Sequence, residues 1–283
     1  MKVSAFTIVR NVRKYNYPAV ESIRSILPLC DEFIINVGDS DDDTLELIES
    51  VGDPKIKILQ NVWDFSEGKG IVLDRQTEIA MAECTGDWVF YLQADEIIHE
   101  KDVLFLRKTM EEYLHDESID ALRLNWLNFF GSYYRYRIDH GWVQKQDRIL
   151  KNPKDLIAVG GAYGFARKDG EPLKRKKTRA LLYHYGWVQS PSVMTQRRVN
   201  AENIGYIELT EDQRKEDYKY GDLNRFPLYF GSHPAVMKEV IDAHPLTKEE
   251  KEFKRKKYWW YPPQIFNIRY KTGRRIKKKI DWY

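Results

Sequence analysis

Apolar positions in this chain follow two alternating periods. Residues 3–9, 33–37 and 56–59 are short apolar runs of strand length, and 88–92 adds a fourth. Between these runs the apolar residues recur at helical spacing. Val20, Ile23, Ile26 and Leu27 follow a helix start at Asn16 and Pro18, and further helices are predicted over 44–51 and 71–84. Strands alternating with helices over the first hundred residues predict an α/β fold: a doubly wound, mostly parallel sheet flanked by helices. After Asp120 the texture changes. Residues 121–130, 144–150 and 180–188 read as strands separated by loops rich in Gly, Lys and Arg, and Pro191 opens a helix running to about 204. The expected organisation is one main domain over 1–205 and a helical, basic C-terminal extension over 206–283.

The most informative stretch is Trp-Val-Phe-Tyr-Leu-Gln-Ala-Asp-Glu at 88–96, an apolar run that stops on two carboxylates behind Thr85-Gly86. Open α/β sheets bind ligands at the carboxyl ends of their strands. Asp95 and Glu96 are therefore expected at such an edge, where hard oxygen ligands can hold a divalent cation against a phosphate. Capping of a helix beginning near Lys101 is the bland alternative.

Charge alters this picture only locally. A net charge of +3 does not by itself call for a polyanion, but from Lys248 onward 13 Lys/Arg stand against 4 Asp/Glu. Basic clusters there bracket Trp259-Trp260-Tyr261, a pattern expected of peripheral contact with an anionic membrane surface. A nucleic-acid partner is not expected, because no aromatic readout motif is interleaved with the basic residues. Cys30 and Cys84 match no metal spacing and read as reduced packing residues. With no apolar leader after Met1 and no run long enough to span a bilayer, the expected location is cytoplasmic, at most peripheral at the inner membrane face.

Five motifs, in order, resemble the inverting nucleotide-sugar glycosyltransferases of family 2, which have the GT-A fold. They are Arg10-Asn11 closing the first strand, Ser40-Asp41-Asp42-Asp43-Thr44 as a Ser-x-Asp-x-Thr signature, and Gln93-Ala94-Asp95-Glu96 in place of Asp-x-Asp. Gln146-Asp147-Arg148 follows in a later strand, and His184 stands where the family often has a late histidine. The resemblance covers roughly residues 2–190. It implies transfer of a sugar from a nucleotide-diphosphate donor to a hydroxyl of a glycan, lipid-linked glycan or protein, with Mn²⁺ or Mg²⁺ as cofactor. Two positions depart from the pattern. Val37-Gly38-Asp39 replaces the usual base-reading Asp, a role Asp39 takes from a shifted position, and Gln93 replaces the ribose-binding Asp, whose hydrogen bond an amide can still make.

From these residues the expected metal ligands are Asp95 and His184. Expected donor contacts are Arg10, Asn11, Asp39, Asp41, Asp42, Arg75, Gln93 and Asp95. Inversion needs a base on the face opposite the leaving group; Asp147 is the first candidate and Asp139 the second, with Arg148 steadying backbone or phosphate charge. Surface-pair readings stand beside these for Asp147–Arg148 and Asp74–Arg75, and capping at Thr44 claims one of the three loop aspartates. Trp126, Phe129, Phe130, Tyr133, Tyr134, Tyr136 and Trp142 offer either an acceptor platform or core. Gly231-Ser232-His233-Pro234 reads as a turn without chemistry. Two rival functions remain at this level. A nucleotidyltransferase would want a Gly-rich phosphate loop, which Arg10-Asn11-Val12-Arg13 lacks, and a non-catalytic nucleotide-sugar-binding module is suggested by Gln93.

Overall fold

The structure is a computed structural model and describes residues 1–66, 68, 70–139, 142–151 and 153–257. The Trp259-Trp260-Tyr261 segment and the basic cluster after it lie outside these residues. In chain order the strands are β1 (Val3–Val9), β2 (Glu32–Gly38), β3 (Ile56–Asn61), β4 (Trp88–Tyr91), β5 (Glu96–Ile98), β6 (Ala121–Phe130), β7 (Tyr136–Arg137), β8 (Lys145–Lys151), β9 (Leu156–Val159), β10 (Gly164–Arg167) and β11 (Arg175–Trp187). The helices used below are α1 (Ala19–Ile26), α2 (Thr44–Glu49), α3 (Ile71–Ala82), α4 (Glu100–Glu112) and α5 (Pro191–Asn203).

The main sheet runs β3-β2-β1-β4-β8-β6-β11-β5, with β7 beside β6. Pairing is parallel from β3 through β4, antiparallel on both sides of β8, and parallel again between β6 and β11. β1 is buried along nearly its whole length, as a strand covered on both faces must be. One cover is α1, α2 and α4, through Ile23, Ile26, Ile48, Leu106 and Met110. The other is α3 with the β9–β10 hairpin, through Ala80, Met81, Leu156 and Phe165. This is the doubly wound α/β sheet that the alternation predicted.

Two elements had no sequence signal. The apolar run from 88 stops as a strand at Tyr91, turns through 92–95, and re-enters the sheet as β5, antiparallel to β11. All three β5 residues are buried, so no alternation marks them. The hairpin β9–β10 lies in a stretch that reads as loop; its turn contains left-handed Gly160, Gly161 and Ala162, with φ of 73°, 70° and 62°.

The C-terminal segment packs back onto the sheet. Tyr229 and Met237 join Phe129, Tyr183 and Tyr185 in one aromatic cluster. Arg135, 2% exposed, donates to the Phe226 carbonyl and to Asn224 Oδ1, each at 2.9 Å, and approaches Glu250 within 3.6 Å. Among the described residues no helix is long and apolar enough to cross a membrane.

A single buried ion pair joins β5 to β8. Arg148 and Glu96 are both 0% exposed, and Arg148 Nε and Nη2 donate to the two Glu96 oxygens at 2.8 and 2.7 Å. Glu96 is thus a structural anion, not a second ligand beside Asp95, and Arg148 neutralises it instead of facing a phosphate. Removing one partner strands a buried charge. Arg148→Met is expected to cost about 3–5 kcal/mol in urea unfolding. An unchanged midpoint would mean that Glu96 finds water or a proton instead.

Candidate active site

β1 has β2 on one side and β4 on the other, so the chain leaves their carboxyl ends in diverging directions and opens a crevice. A cleft of about 260 Å³ fills it, lined by Arg10, Trp63, Tyr91, Gln93, Asp95 and Ala162 among others. Two polar atoms in its walls, Trp63 Nε1 and Tyr91 Oη, are buried without a hydrogen-bond partner among the described residues. Buried polar groups in native proteins are almost always paired. These two fit a polar ligand.

Asp95 sits where β4 gives way to β5. Its Oδ2 faces His184 Nε2 at 3.6 Å, too far for a good hydrogen bond. The other ring nitrogen is fixed: His184 Nδ1 lies 2.8 Å from Asn128 Oδ1, while Asn128 Nδ2 donates to the Val143 carbonyl at 2.6 Å. That orientation of the amide makes Nδ1 the donor, so in the neutral ring the Nε2 lone pair points at Asp95. Metal-binding histidines are held in this way. Burial pushes the Asp95 carboxyl up, but the His184 ring, when it carries a proton on Nε2, and Arg197 outweigh it and hold the group below the usual carboxylate range; a cation bound between the two would take the place of that proton. Gly186 leaves the gap clear: a β-carbon there would stand 2.6 Å from His184 Nε2 and 2.7 Å from Asp95 Oδ2.

The other expected donor contacts divide. Arg10 lines the cleft, with its guanidinium 5.0 Å from the Phe65 ring centroid and its Nε donating to the Asp39 carbonyl at 2.7 Å. Gln93 lines it too, donating its amide to Ala162 O at 3.0 Å, which leaves Oε1 as acceptor. Asn11, at φ 53°, shapes the loop from behind; it is 2% exposed and its Oδ1 accepts the Asp41 N–H. Asp39 accepts the Trp63 N–H at 3.0 Å, which seats that indole against Gly38. Asp41 pairs with Lys14, which keeps its carboxyl below the usual range. Asp42 accepts the Thr44 N–H and the Lys14 N–H, tying down the start of α2. Arg75 is exposed on α3, and its neighbour Asp74 takes the Ala162 N–H at 2.7 Å. Asp39, Asp41, Asp42 and Arg75 are not among the residues lining the cleft.

Both base candidates are held by arginine. Asp147 Oδ1 and Oδ2 accept from Arg123 at 2.7 Å, and Oδ2 also accepts from Arg175 at 2.7 Å. Although burial raises its proton affinity, the two guanidiniums win and depress it. A general base needs the opposite adjustment, and Asp147 does not line the cleft. Asp139 is likewise held low by Arg137. Most of the aromatic platform is core, with Phe129 fully buried and Phe130, Tyr133 and Tyr136 nearly so. Trp126 differs, lying 4.5 Å from the His184 ring between centroids. The 231–234 turn is not inert: Ser232 bonds His99, and His233 bonds the Tyr185 hydroxyl, both at 2.8 Å.

Several site residues escaped the sequence reading. Arg197 of α5 donates to the carbonyls of Tyr15, Asn16 and Gly186, joining the loop after β1 to the end of β11. Its only signal was a charged residue within a helix. Asn128 and Gly186 lie within or beside β-type sequence with nothing to distinguish them, and Trp63 was read as part of an aromatic loop.

A doubly wound sheet with a ligand crevice at its switch point and an acidic residue after the central strand defines the GT-A class of fold. Residues 4–169, more than half of the chain, match Glycosyl transferase family 2, and the chain belongs to that family. Among solved structures, it is similar to S. aureus TarS at 17% identity and TM-score 0.42, covering 76% of this chain and 41% of that one. The TarS 1–349 complex with UDP aligns at 17% identity and TM-score 0.43, over 76% and 68% of the two chains. Glucosyl-3-phosphoglycerate synthase from Mycobacterium tuberculosis, in complex with Mn²⁺, UDP and phosphoglyceric acid, aligns at 23% identity and TM-score 0.32, over 44% and 43%. This chain therefore spans less than half the length of the first of these proteins. No curated protein matches it.

The Asp147 triad has a measurable acid signature. A carboxyl with depressed proton affinity contributes stability above the unfolded-state value near pH 4, and that contribution is lost as pH falls toward its folded value. Asp147→Asn is expected to lower stability by about 1–3 kcal/mol at pH 7. The difference from wild type should shrink below about pH 4. Parallel stability curves down to pH 2 would contradict the triad's role.

Proposed function

We propose that this chain is a metal-dependent, inverting glycosyltransferase that moves a sugar from a nucleoside-diphosphate donor to a hydroxyl of a glycan, lipid-linked or protein acceptor. The observation that carries the reading is the Asp95–His184 pair, two acceptors turned toward each other across 3.6 Å and kept clear by Gly186. Mn²⁺ or Mg²⁺ bound there would act as a Lewis acid on the departing diphosphate. Among the described residues no group of three or more His, Cys, Asp or Glu is placed to hold a metal. Two protein ligands are consistent with cations that draw most of their shell from phosphate and water.

The chain's own groups supply the rest of the donor site. Arg10 and the Phe65 and Trp63 rings form the outer wall, suited to the nucleoside. Gln93 Oε1 is available for a ribose hydroxyl, and the clamp of its amide on Ala162 holds it in place. Arg197 compensates Asp95 from behind. Asp147 serves as base only if acceptor binding releases it from Arg123 and Arg175. Single-turnover transfer by Asp147→Asn separates the two roles: a base variant loses about 10²- to 10⁴-fold in the chemical step. The triad geometry favours intact chemistry in a less stable protein.

A thermal-shift screen of nucleoside diphosphates with and without Mn²⁺ tests the donor site directly, because a ligand specific to the folded state raises Tm. Stabilisation is expected only with metal present. Asp95→Ala should abolish both the shift and transfer, and His184→Ala should weaken metal dependence less. Gly186→Ala, whose β-carbon would crowd both side chains, should also lose the metal-dependent shift and lower the unliganded Tm. A folded Asp95→Ala protein with wild-type turnover would rule the proposal out.

A further inference from the structure

His184 stands where the sheet loosens its hold on β11. Its register partners are Glu96 on β5 and Asn128 on β6; the β5 pairing ends there, and the β6 pairing is irregular between His184 and Trp187. Side chains alternate along a strand, so Tyr183 and Tyr185 turn to the face opposite His184, where both are 0% exposed. The C-terminal turn at 229–235 meets them there. Tyr229 Oη donates to the Ser232 carbonyl at 3.0 Å, which makes Tyr183 Oη the donor to Tyr229 across 2.9 Å. Tyr183 in turn accepts from Lys101 Nζ at 3.1 Å. Tyr185 Oη lies 2.8 Å from His233 Nδ1, and the other ring nitrogen of His233 is buried without a partner among the described residues. The turn is itself tied down: His99 Nε2 lies 2.8 Å from Ser232 Oγ, and the Ala235 N–H donates to Glu100 at 3.0 Å. Through its backbone, Tyr185 also donates its N–H to the Asp95 carbonyl at 2.9 Å.

We propose that this turn is a positioning clamp: by holding Tyr183 and Tyr185 from the far face of β11, it sets the orientation in which His184 meets Asp95. The inference rests on the metal reading above and deepens it. Where a ladder is interrupted, backbone hydrogen bonds no longer fix the strand, and side-chain contacts must aim its residues. Tyr185 is suited to that task. It adjoins His184 and bonds the carbonyl of Asp95, so a shift of this one residue moves both side chains. Its ring is stacked on Phe129 with centroids 4.8 Å apart and planes parallel. Stacking fixes the plane of the ring but lets it slide; the directional bond from its hydroxyl to His233 fixes its place within the plane. Tyr183, Tyr229 and His233 do not line the cleft and act through β11 as positioning residues. The segment beyond 205 thereby becomes part of the apparatus that aims the metal pair.

Mn²⁺ titration of the whole chain tests this, with UDP or GDP present and free Mn²⁺ read by electron paramagnetic resonance. Tyr185→Phe and His233→Phe each break the tether and keep a ring in place. Each should weaken Mn²⁺ binding by about 3- to 10-fold, less than the loss of a direct partner of a metal ligand. Each should also lower the unliganded Tm, because it strands one buried polar atom. The double variant strands neither. Its Tm should recover toward wild type while its Mn²⁺ affinity stays as weak as in the single variants, since both act through one bond. Ile48→Ala, a cavity in fully buried α2 packing, is the control, with a lower Tm and unchanged Mn²⁺ affinity expected. Wild-type Mn²⁺ affinity in the tether variants, affinity that recovers with Tm in the double variant, or equal weakening by Ile48→Ala would overturn the clamp while leaving the metal reading standing. A wild-type chain that binds Mn²⁺ no better than Asp95→Ala would overturn both. If the His233 variants do not fold, Tyr229→Phe, which breaks the hydroxyl relay, decides by the same Mn²⁺ readout.

Discussion

The Glu96–Arg148 ion pair is the constraint on which the rest of the site depends. Two fully buried charges are tolerable only when each is fully compensated, and here the compensation fixes the backbone around them. Glu96 Oε2 also accepts the Gln93 N–H, and Ser22 Oγ donates to the Glu96 carbonyl. Arg148 adds a bond to the Tyr163 carbonyl and stacks 5.0 Å from the Tyr91 ring centroid. One pair thereby ties together β4, β5, β8, α1 and the turn before β10. Asp95 precedes Glu96 directly, so anchoring the glutamate inward leaves the aspartate at the crevice.

The carboxylates of the region show how environment divides residues of one chemical type. Asp95 is lined up with a histidine whose second nitrogen is engaged, an arrangement that keeps negative charge and a lone pair facing one point. Glu96 is neutralised within the sheet. Asp147 is chelated by two arginines and welds β8 to β6 and β11. Asp42 closes the start of a helix. Only the first of these lines the cleft; in the others hydrogen bonds and ion pairs already use the oxygens.

Positioning in this molecule comes largely from groups that touch backbone. Arg197 joins three carbonyls from two distant segments, and Asp74, Gln93, Arg148 and Tyr206 hold a turn in which three successive residues have positive φ. Such a conformation persists only where the surroundings over-determine it. The result is a crevice whose walls are set before a ligand arrives, as electrostatic preorganisation requires.

The sequence by itself determined the layered α/β architecture, because strand and helix periods are local: β1 to β4 and α1 to α3 fall where apolar spacing puts them. It also located Asp95, Gln93 and Arg10 at strand ends, since an apolar run ending on polar residues is visible in one dimension. It could not give the physical reason why Asp95 and not Glu96 faces the crevice, or assign Asp147, because those fates hang on Arg148, Arg123 and Arg175, arginines that reach the carboxylates only in the folded chain. β5 went unseen because three residues buried on both sides carry no alternation. Asn128, Gly186 and Trp126 gained meaning only when β6 and β11 were laid side by side and His184 came to rest between them. Tertiary pairing alone decides which atoms of a side chain remain free, and free atoms are what a site uses.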